Sequence, residues 1–541
     1  MRRFLFLAAC LSIASGVLGQ QSAPEGELKD AEFIIEKERK LLPPEASRLF
    51  ESAPVVSFTT VPRQPLAYAM LDLFPAFEAL SFKTPMLRAK RDSVARCYNN
   101  HLQVGHGNFY RPFLEGSFTN KDHAKYIYGL QLRHLSSGKE AYAEETHNRI
   151  RLHGKLFTRA LCLGGEMTYN RDKYPLYKPD QNLTAASSSQ TLHHVVVRNT
   201  VASYVYGPLN YQVDAAFHYL CDAYQARENQ WEFSARGDYI LNDGLKLEAF
   251  TNLYLTKYTD TTTNQRNLWR TKSMLSWAYH GWDVQGGMNL VYQNAVTHAS
   301  HAFNVYPVLE VSYALCSWLR PYLGICGDLQ RNSLRDLLQE NPLLASRVDL
   351  RHTNQRFEFH GGAKGNILTQ VSWHAGLVVG LYKDFHCLVN SDQDLRRFDV
   401  QYDPSTTLLN TFLELTHTNQ AATLSTQLRG DFFHYTLKEL HKPWHRPRYQ
   451  LDLRSTYRLH DKLGLSGSLG WIGGVEAWDV TQKMPVALED VFDVGLGIDY
   501  WLGSRLSFFL NCKNLLARRN VRYLHYPSQG FHCMAGLTYA W

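Results

Sequence analysis

Charged residues alternate with apolar ones in two stretches of the chain, and this spacing could serve solute contact in a pore. In an extended strand every second side chain points to the same face, so the charges would share one face. A face rich in Arg and Lys could line a channel and favour anionic solutes. The candidate lumen-facing residues are Arg149, Arg151, Lys155, Arg448, Asp452, Arg454 and Arg458. Acidic residues such as Glu248, Asp493 and Asp499 are available as partners, and we favour an ion-pair network that stiffens the wall.

Two pairs of histidines have spacings that could suit metal ligands, but neither pair supports a site. His193 and His194 are adjacent, so in a strand they point to opposite faces. His441 and His445 have a spacing that would place them on one side of a helix. Pro443 lies between them and disfavours a helix. We therefore predict no metal site and no cofactor.

The sequence also lacks a recognisable catalytic constellation. Serine hydrolases often carry a G-x-S-x-G motif, and the small-residue stretch Gly464–Gly467 departs from it. The acid pairs Glu144 with Glu145 and Asp392 with Asp394 lie in predicted loops, where solvated charge is the ordinary state. We predict that the protein is not an enzyme, and a barrel-embedded hydrolase is the least favoured alternative.

Long alternating strands would have to position these side chains, and the last twelve residues illustrate the pattern. In Gly530–Trp541 the positions from Phe531 onward alternate between apolar or aromatic residues and small or polar ones. Taken alone, the stretch fits the last strand of a soluble sandwich as well as the closing strand of a membrane barrel. In the barrel, Phe531, Tyr539 and Trp541 would form a C-terminal signal for the outer-membrane assembly machinery.

Composition and repetition favour the barrel. The chain has 541 residues with 13% aromatic and 20% charged residues, and similar alternating segments recur from about residue 98 onward. Many segments reach the ~9–11 residues that a tilted strand needs to cross a bilayer. Their number, about 22, fits an up-and-down antiparallel transmembrane β-barrel. An even strand number would put both termini in the periplasm and the long loops outside the cell.

The connections between segments are expected to differ. Asn242–Gly244 and His460–Lys462 have the composition of tight turns, whereas Asp172–Gln190 and Thr259–Arg266 should be long loops. Ser333–Leu344 has leucines at helical spacing and predicts a short amphipathic helix within a loop.

The N-terminal part differs from the rest. Residues 1–19 have a basic start, an apolar core and a small residue before Gln20, which is typical of a secretory signal. Residues 20–95 are rich in charge and proline and predict an extended periplasmic or lumen-threading segment, with the barrel occupying 96–541. The formal charge of +7 falls on no clustered basic stripe, so we expect no nucleic-acid partner.

Eight cysteines follow the predicted signal, and most lie singly within strand-like segments. They are Cys97, Cys162, Cys221, Cys316, Cys326, Cys387, Cys512 and Cys533. An exported protein could pair them, but the pairing cannot be deduced from sequence. We interpret them as small apolar residues on strand faces.

Several stretches give the chain a family resemblance over about residues 98–541. Asp490–Tyr500, Leu506–Leu516, Tyr526-Pro527 and Gly530–Trp541 resemble the closing strands of TonB-dependent-receptor barrels. A plug-free, receptor-like barrel group of Bacteroidota is suggested by further stretches, namely Leu102–Asn108, Gly327–Asn332, Glu340–Pro342 and Lys442–His445. The resemblance implies an outer-membrane barrel of a Gram-negative cell.

One departure from the family limits what the resemblance implies. Only about 75 residues separate the predicted signal from the first strand, which is too few for the N-terminal plug of an energised receptor. We therefore expect an accessory or scaffold component of an outer-membrane complex, with outer-membrane lipid, the assembly machinery and envelope proteins as partners. A passive diffusion channel is the alternative.

Overall fold

The computed structural model describes residues 98–120, 125–138, 145–176, 189–205, 207–242, 244–294 and 302–541. The predicted signal at 1–19 and the segment 20–95 lie outside the described residues. Among those described, no helix combines the length and apolar character that crossing a membrane requires.

The described residues form 28 strands and one short helix. The strands are β1 (Asn100–Gly107), β2 (Tyr110–Asn120), β3 (Tyr126–Ser137), β4 (Glu145–Phe157), β5 (Leu161–Pro175), β6 (Ser189–Ser203), β7 (Leu209–Cys221), β8 (Arg227–Asn242), β9 (Leu245–Thr259), β10 (Thr263–Tyr279), β11 (Trp282–Gln293), β12 (Phe303–Tyr313), β13 (Arg320–Gln330), β14 (Thr353–Ile367), β15 (Val371–Lys383), β16 (Phe385–Asn390), β17 (Phe398–Asp403), β18 (Thr406–Thr418), β19 (Leu424–Thr436), β20 (Tyr449–His460), β21 (Leu463–Gly473), β22 (Glu476–Asp479), β23 (Met484–Ala487), β24 (Val491–Trp501), β25 (Leu506–Lys513), β26 (Val521–Tyr523), β27 (Tyr526–Pro527) and β28 (His532–Ala540). The helix, α1 (Leu334–Glu340), lies between β13 and β14.

Twenty-two of these strands form one closed antiparallel sheet, which we call the wall. Each wall strand pairs with the next along the chain, and β28 pairs with β1 as well as with β25. The first and last wall strands meet at this seam, where Asn100 N–H donates to the Trp541 carbonyl at 3.1 Å. The remaining short strands form three hairpins, β16–β17, β22–β23 and β26–β27. The prediction of an antiparallel barrel of about 22 strands is therefore confirmed.

Alternation along the strands gives the wall two chemically different faces. On β4, Ile150, Leu152 and Leu156 are 45%, 49% and 45% exposed. The intervening Arg149 and Arg151 hydrogen-bond polar partners on neighbouring strands. An apolar outer face on a closed barrel is the pattern expected where lipid replaces water.

The barrel has two dissimilar ends. At the turn end, where Asn100 and Trp541 lie, successive strands are joined by two to six residues. At the loop end, four connections are much longer, namely 331–352, 384–405, 474–490 and 514–531. The turn predicted at His460–Lys462 is confirmed, because β20 ends at His460 and β21 begins at Leu463. The long loop predicted at Thr259–Arg266 is wrong, because β9 and β10 continue their ladder to a three-residue turn at 260–262.

The cysteine interpretation needs one correction. Cys512 of β25 and Cys533 of β28 are direct cross-strand partners and form a disulfide. Sequence alone could not find this pair because the register between the two strands brings them together. Cys162, Cys221, Cys316, Cys326 and Cys387 are free thiols, and Cys97 lies outside the described residues.

Candidate functional site at the loop end

Four loop-end connections fold together across the mouth of the barrel, and we call them the cap. They are residues 331–352, which contain α1, residues 384–405, which contain β16–β17, residues 437–448, and residues 514–531, which contain β26–β27. The first, second and fourth of these connections contribute apolar side chains to one buried cluster that includes Leu337, Leu344, Leu388 and Phe398, each at most 3% exposed. The connection 437–448 buries Trp444 in a second cluster, which also contains Cys387 and Val389 of β16. The cluster continues onto the wall through Leu192, Leu220, Ala226 and Tyr258.

The cap joins widely separated parts of the wall. The wall residues of the cluster come from β6, β7 and β9 and from the turn before β8, while the connection 384–405 follows β15 and 514–531 follows β25. In the order of the 22 wall strands these positions lie about a third of the circumference apart. The cap therefore spans the mouth from side to side.

The N-terminus of α1 is held by a contact with the wall. Ser333 is the N-cap, and its side chain forms a capping box with Asp336. The Glu228 carboxylate of β8, which is 3% exposed, accepts the main-chain N–H of Leu334 at 2.7 Å. The first N–H groups of a helix have no partner within the helix, and the helix dipole favours a negative charge there. The amphipathic helix predicted at Ser333–Leu344 is confirmed, and its leucines Leu334, Leu337 and Leu338 are buried.

The last residue of α1 is held by three other cap connections. The Glu340 carboxylate contacts His386 Nε2 at 2.8 Å and Arg446 Nη1 at 3.1 Å. Its carbonyl oxygen accepts the Tyr523 hydroxyl at 2.9 Å. Burial alone would raise the pKa of Glu340, but the hydrogen bond from His386 and the charge of Arg446 outweigh it and lower the pKa to about 2. Glu340 thus links the connections containing His386, Arg446 and Tyr523 to the helix through ion pairs and a hydrogen bond.

His445 ties two connections as a neutral ring. Its Nδ1 donates to the Leu388 carbonyl at 2.7 Å, and its Nε2 accepts the Leu524 N–H at 3.3 Å. This arrangement fixes the tautomer, because a carbonyl can only accept and an amide N–H can only donate. Burial lowers the pKa of His445 to about 4, so the ring is uncharged near neutral pH. Both ring nitrogens of His445 are therefore engaged by main-chain groups.

Asp403, the last residue of β17, also links two cap connections. Its carboxylate accepts the main-chain N–H groups of Lys438, Glu439 and Leu440 and the hydroxyl of Thr406. Burial would raise the pKa of Asp403, but the three backbone donors outweigh it and lower the pKa. The turn after β19 is therefore fastened to the β16–β17 hairpin.

A layer of buried polar groups lies between the cap and the wall. Arg266 of β10, which is 5% exposed, donates to the Asn332 carbonyl at 2.8 Å and contacts His352 Nδ1 at 3.2 Å. Asn332 also donates to Thr353 Oγ1, which in turn donates to the Asp384 carbonyl at 2.8 Å. Buried polar groups require such partners, and these bonds fix where the connection 331–352 leaves β13 and enters β14.

The residues predicted from sequence to face the lumen lie mostly away from the cap. On β4 and β5, Arg149 donates to Asn170 at 2.9 Å and Arg151 pairs with Glu166 at 2.8 Å. Lys155 lies opposite Gly164, and on β20 Asp452 lies opposite Arg429 of β19. The opposite partners of Arg454 and Arg458 are Ser468 and Gly464 of β21. Arg448 precedes β20 and binds Glu476 of β22 at 2.8 Å, so it belongs to the loop end.

The predicted C-terminal residues lie at the seam of the wall. Phe531, Tyr539 and Trp541 are 41%, 45% and 41% exposed. Tyr539 and Trp541 stack at 5.6 Å, and Phe118 of β2 meets Trp541 edge-on at 5.9 Å. The adjacent histidines predicted to diverge do so, since His193 bonds Tyr169 whereas His194 stacks on His218.

Sequence reasoning missed the cap as a unit, although it singled out several of its parts. Glu340–Pro342, Lys442–His445 and Tyr526-Pro527 are separate marks of resemblance in the sequence. In the structure His445 and Tyr526 pack against Phe398, and Glu340 pairs with Arg446, the residue after the second stretch. The signal that could have found them is their composition, because each stretch combines Pro with an aromatic or ionisable residue in a loop. Nothing in the sequence states which loops meet.

Comparison with known proteins identifies the fold. No family model matches the chain, and no curated protein matches it. Among solved structures, the chain is similar to the FrpB iron transporter from Neisseria meningitidis, with a TM-score of 0.65 and 10% identity over 83% of this chain and 82% of that one. It is also similar to the siderophore receptor PirA from Acinetobacter baumannii, with a TM-score of 0.62 and 10% identity over 82% and 81% of the two chains. The ferric-catecholate import receptor Fiu from E. coli gives 0.61 and 9% over 82% of each chain. The chain therefore shares the barrel fold of these iron transporters and siderophore receptors.

Proposed function

We propose that this receptor-like barrel is sealed by its own loops and acts as an accessory or scaffold component of an outer-membrane complex. In this proposal the loop end faces the outside, both chain ends are periplasmic, and no separate plug is needed. The cap carries the proposal, because three connections from different parts of the wall share one buried apolar core across the mouth, and the connection 437–448 is joined to them through His445 and Arg446.

The cap favours this function over a passive channel. A diffusion pore needs a continuous aqueous path, whereas Leu337, Leu388 and Phe398 bury their side chains across the mouth of the barrel. Two of the similar structures are described as an iron transporter and a siderophore receptor. A shared fold at about 10% identity lends no support to the same cargo here.

The charged inward residues are proposed to stiffen the wall. Arg151 of β4 with Glu166 of β5 is one pair of this kind, and Arg429 of β19 with Glu414 of β18 is another. We further propose that Phe531, Tyr539 and Trp541 are recognised by the outer-membrane assembly machinery while the last strand closes the barrel, with lipid covering the apolar outer face afterwards.

Planar-bilayer conductance tests the sealed barrel. The full chain is expected to show no steady conductance, whereas a variant with 331–352 replaced by a short Gly-Ser turn should conduct in large steps. A matched control replaces the turn 420–422, which lies at the other end of the barrel and should leave it closed. Steady conductance of the full chain would support the channel instead.

Purification in native detergent tests the accessory role. An envelope protein present at a fixed ratio to the barrel is the expected result, because a scaffold must hold a partner. Recovery of a lone monomer from cells that express the chain at its natural level would contradict the role, even if the barrel proves to be sealed.

A further inference from the structure

Three potential metal ligands of different types lie close together on β13 and β14, away from the Glu340 interactions of the cap. They are Cys326 of β13 with Glu358 and His360 of β14, and one donor atom from each lies within 4.8 Å of the other two. Cys326 and Glu358 are direct register partners, and His360 is opposite Gly324 two residues along. All three side chains therefore project from one face of a rigid two-strand ladder.

The distances between the donor atoms suit a small transition-metal ion. Cys326 Sγ lies 3.7 Å from Glu358 Oε1, and His360 Nδ1 lies 3.8 Å from the same oxygen. Tetrahedral zinc with bonds of about 2.3 Å to sulfur and about 2.0–2.2 Å to nitrogen and oxygen separates its ligand atoms by roughly 3.4–3.6 Å. The two contacts to Glu358 exceed these values by a few tenths of an ångström, and the Cys326 and His360 donor atoms lie within 4.8 Å of each other. A side-chain adjustment of up to roughly 1 Å would therefore complete the geometry.

One ligand atom is buried without a hydrogen bond. Within the part of the chain that the structure describes, His360 Nδ1 has no hydrogen-bond partner, although solvent does not reach it. Such a group costs free energy unless something binds it. The atom faces Glu358, so a cation between the two would satisfy the nitrogen and the carboxylate together.

Neighbouring residues hold the ligands in place. A Cβ at position 324 would collide with the His360 ring, so the ring occupies the space that Gly324 leaves. Glu358 accepts a hydrogen bond from Gln355, and Gln330 donates to Gln355 at 2.9 Å. The register shifts between Cys326 and Asp328, and such bulges re-aim side chains. Supporting contacts of this kind orient the ligands of metal sites.

We propose that Cys326, Glu358 and His360 bind a divalent transition-metal cation of the zinc class. On binding, the Cys326 thiol releases its proton to solvent and the thiolate sulfur donates a pair of electrons to the metal, while His360 binds as the neutral ring. Thiolate and carboxylate together neutralise the two positive charges. The side chains of Glu358 and His360 are 21% and 22% exposed, which leaves a fourth position open to water or a small ligand.

Cobalt binding tests the site, because a Co²⁺–thiolate bond absorbs in the near ultraviolet. The full chain, purified in detergent with a tag that contains no histidine, is expected to bind one Co²⁺ and to show this band. Cys326→Ser should abolish the band, and His360→Gln should weaken binding by at least about tenfold. Cys162→Ser, which changes another free cysteine in the wall, should keep both.

A positioning variant extends the test to the supporting residues. Gly324→Ala pushes the His360 ring aside without removing a ligand, and we expect binding weaker by about 10- to 100-fold with the thiolate band retained at saturation. Heat-modifiable electrophoretic mobility shows whether each variant is a folded barrel. A folded wild-type chain without the band, or a band that survives Cys326→Ser, would overturn the proposal.

Discussion

The two ends of the barrel differ in how they connect the same antiparallel strands. At the turn end, strands are joined by two to six residues, and each turn is stabilised by contacts close in sequence, as when Asn242 accepts the Gly244 N–H. At the loop end, the cap uses contacts between residues far apart in sequence, as when Tyr523 donates to the Glu340 carbonyl across 183 residues. The turn end therefore completes the wall locally, whereas the cap is a second folded core.

The difference also concerns electrostatics. Ion pairs on the wall are partly solvated, and the Arg151 side chain that binds Glu166 is 40% exposed. In the cap, Arg446 contacts Glu340 with the two side chains only 22% and 29% exposed. Exposed pairs contribute about 0–1 kcal/mol, and the Glu340–Arg446 pair should lie between this value and the roughly 3–5 kcal/mol that removing one partner of a fully buried pair costs. The same residue types should thus matter far more in the cap than on the wall.

Loss of the closing strand is the change with the largest expected effect. Deleting Phe531–Trp541 removes β28, so β1 and β25 both lose their ladder partners and the barrel has two open edges. Open edges are not tolerated in lipid. We expect membrane insertion to be lost altogether, measured by heat-modifiable mobility of the chain in isolated membranes.

A milder variant separates closure from recognition by the assembly machinery. Tyr539→Ala with Trp541→Ala keeps the backbone of β28 and its pairing, so the barrel should still close but accumulate more slowly. Normal insertion after the full deletion would contradict the closing role of β28. Normal accumulation of the double variant would instead remove only the insertion signal.

The cap should open without unfolding the wall, and this is the next largest effect. Leu337→Ala leaves a cavity in a site that is 2% exposed, which costs about 2–5 kcal/mol for a buried leucine. We expect faster hydrogen exchange at the amide of Asn341, which bonds the Leu337 carbonyl, and unchanged exchange in β4. The matched control is Leu152→Ala on the outer face of the wall, where the side chain is 49% exposed. Equal loss of protection in cap and wall would mean that the two regions unfold as one.

Acidification should weaken the cap through His445. Its pKa is about 4 in the folded cap and ordinarily about 6.5, so between these values the opened cap binds a proton that the folded cap does not. Stability is therefore full above about pH 6.5 and declines as the pH falls towards 4, by up to tenfold in the opening equilibrium per pH unit. Glu340, with its pKa of about 2, adds a further loss below its ordinary value of about 4.3.

Replacement of the ring tests this pH dependence. His445→Gln can keep a donor for Leu388 and an acceptor for Leu524 but cannot be protonated. The protection factors of the cap amides, which are exchange rates corrected for the intrinsic pH dependence of exchange, should then change little between pH 6.5 and 4.5, while Arg151→Gln on the wall keeps the wild-type slope. An unchanged slope in His445→Gln would show that another group senses the pH.

The wall was predictable from sequence because its information is local and periodic. Alternation at Asn148–Leu156 and Gly530–Trp541 reports which side chains face out, and the strand number follows from counting such segments. The cap was not predictable as a unit, since pairing His445 with Leu388 or Glu340 with Arg446 depends on which loops meet after the barrel closes. The Cys512–Cys533 disulfide has the same origin, because only the register between β25 and β28 brings the two residues together. The loop prediction for Thr259–Arg266 was wrong for another reason. Its polar composition suggested a loop, but polar side chains do not prevent strand pairing, and these residues continue the β9–β10 ladder.

Removing an ion pair of the wall should have the smallest effect on stability, and this effect is the reference for the same change in the cap. Arg151→Gln removes the charge that meets Glu166 at 2.8 Å, but the Arg151 side chain is 40% exposed, and Glu166 keeps a hydrogen bond from Thr168 at 3.0 Å. Solvent screening should keep the loss within about 1 kcal/mol, measured by thermal unfolding of the barrel in detergent. Arg446→Gln makes the same chemical change in the cap and should speed amide exchange there by a far larger factor. If Arg151→Gln destabilised the wall as much as Arg446→Gln opens the cap, burial would not be what distinguishes the two regions.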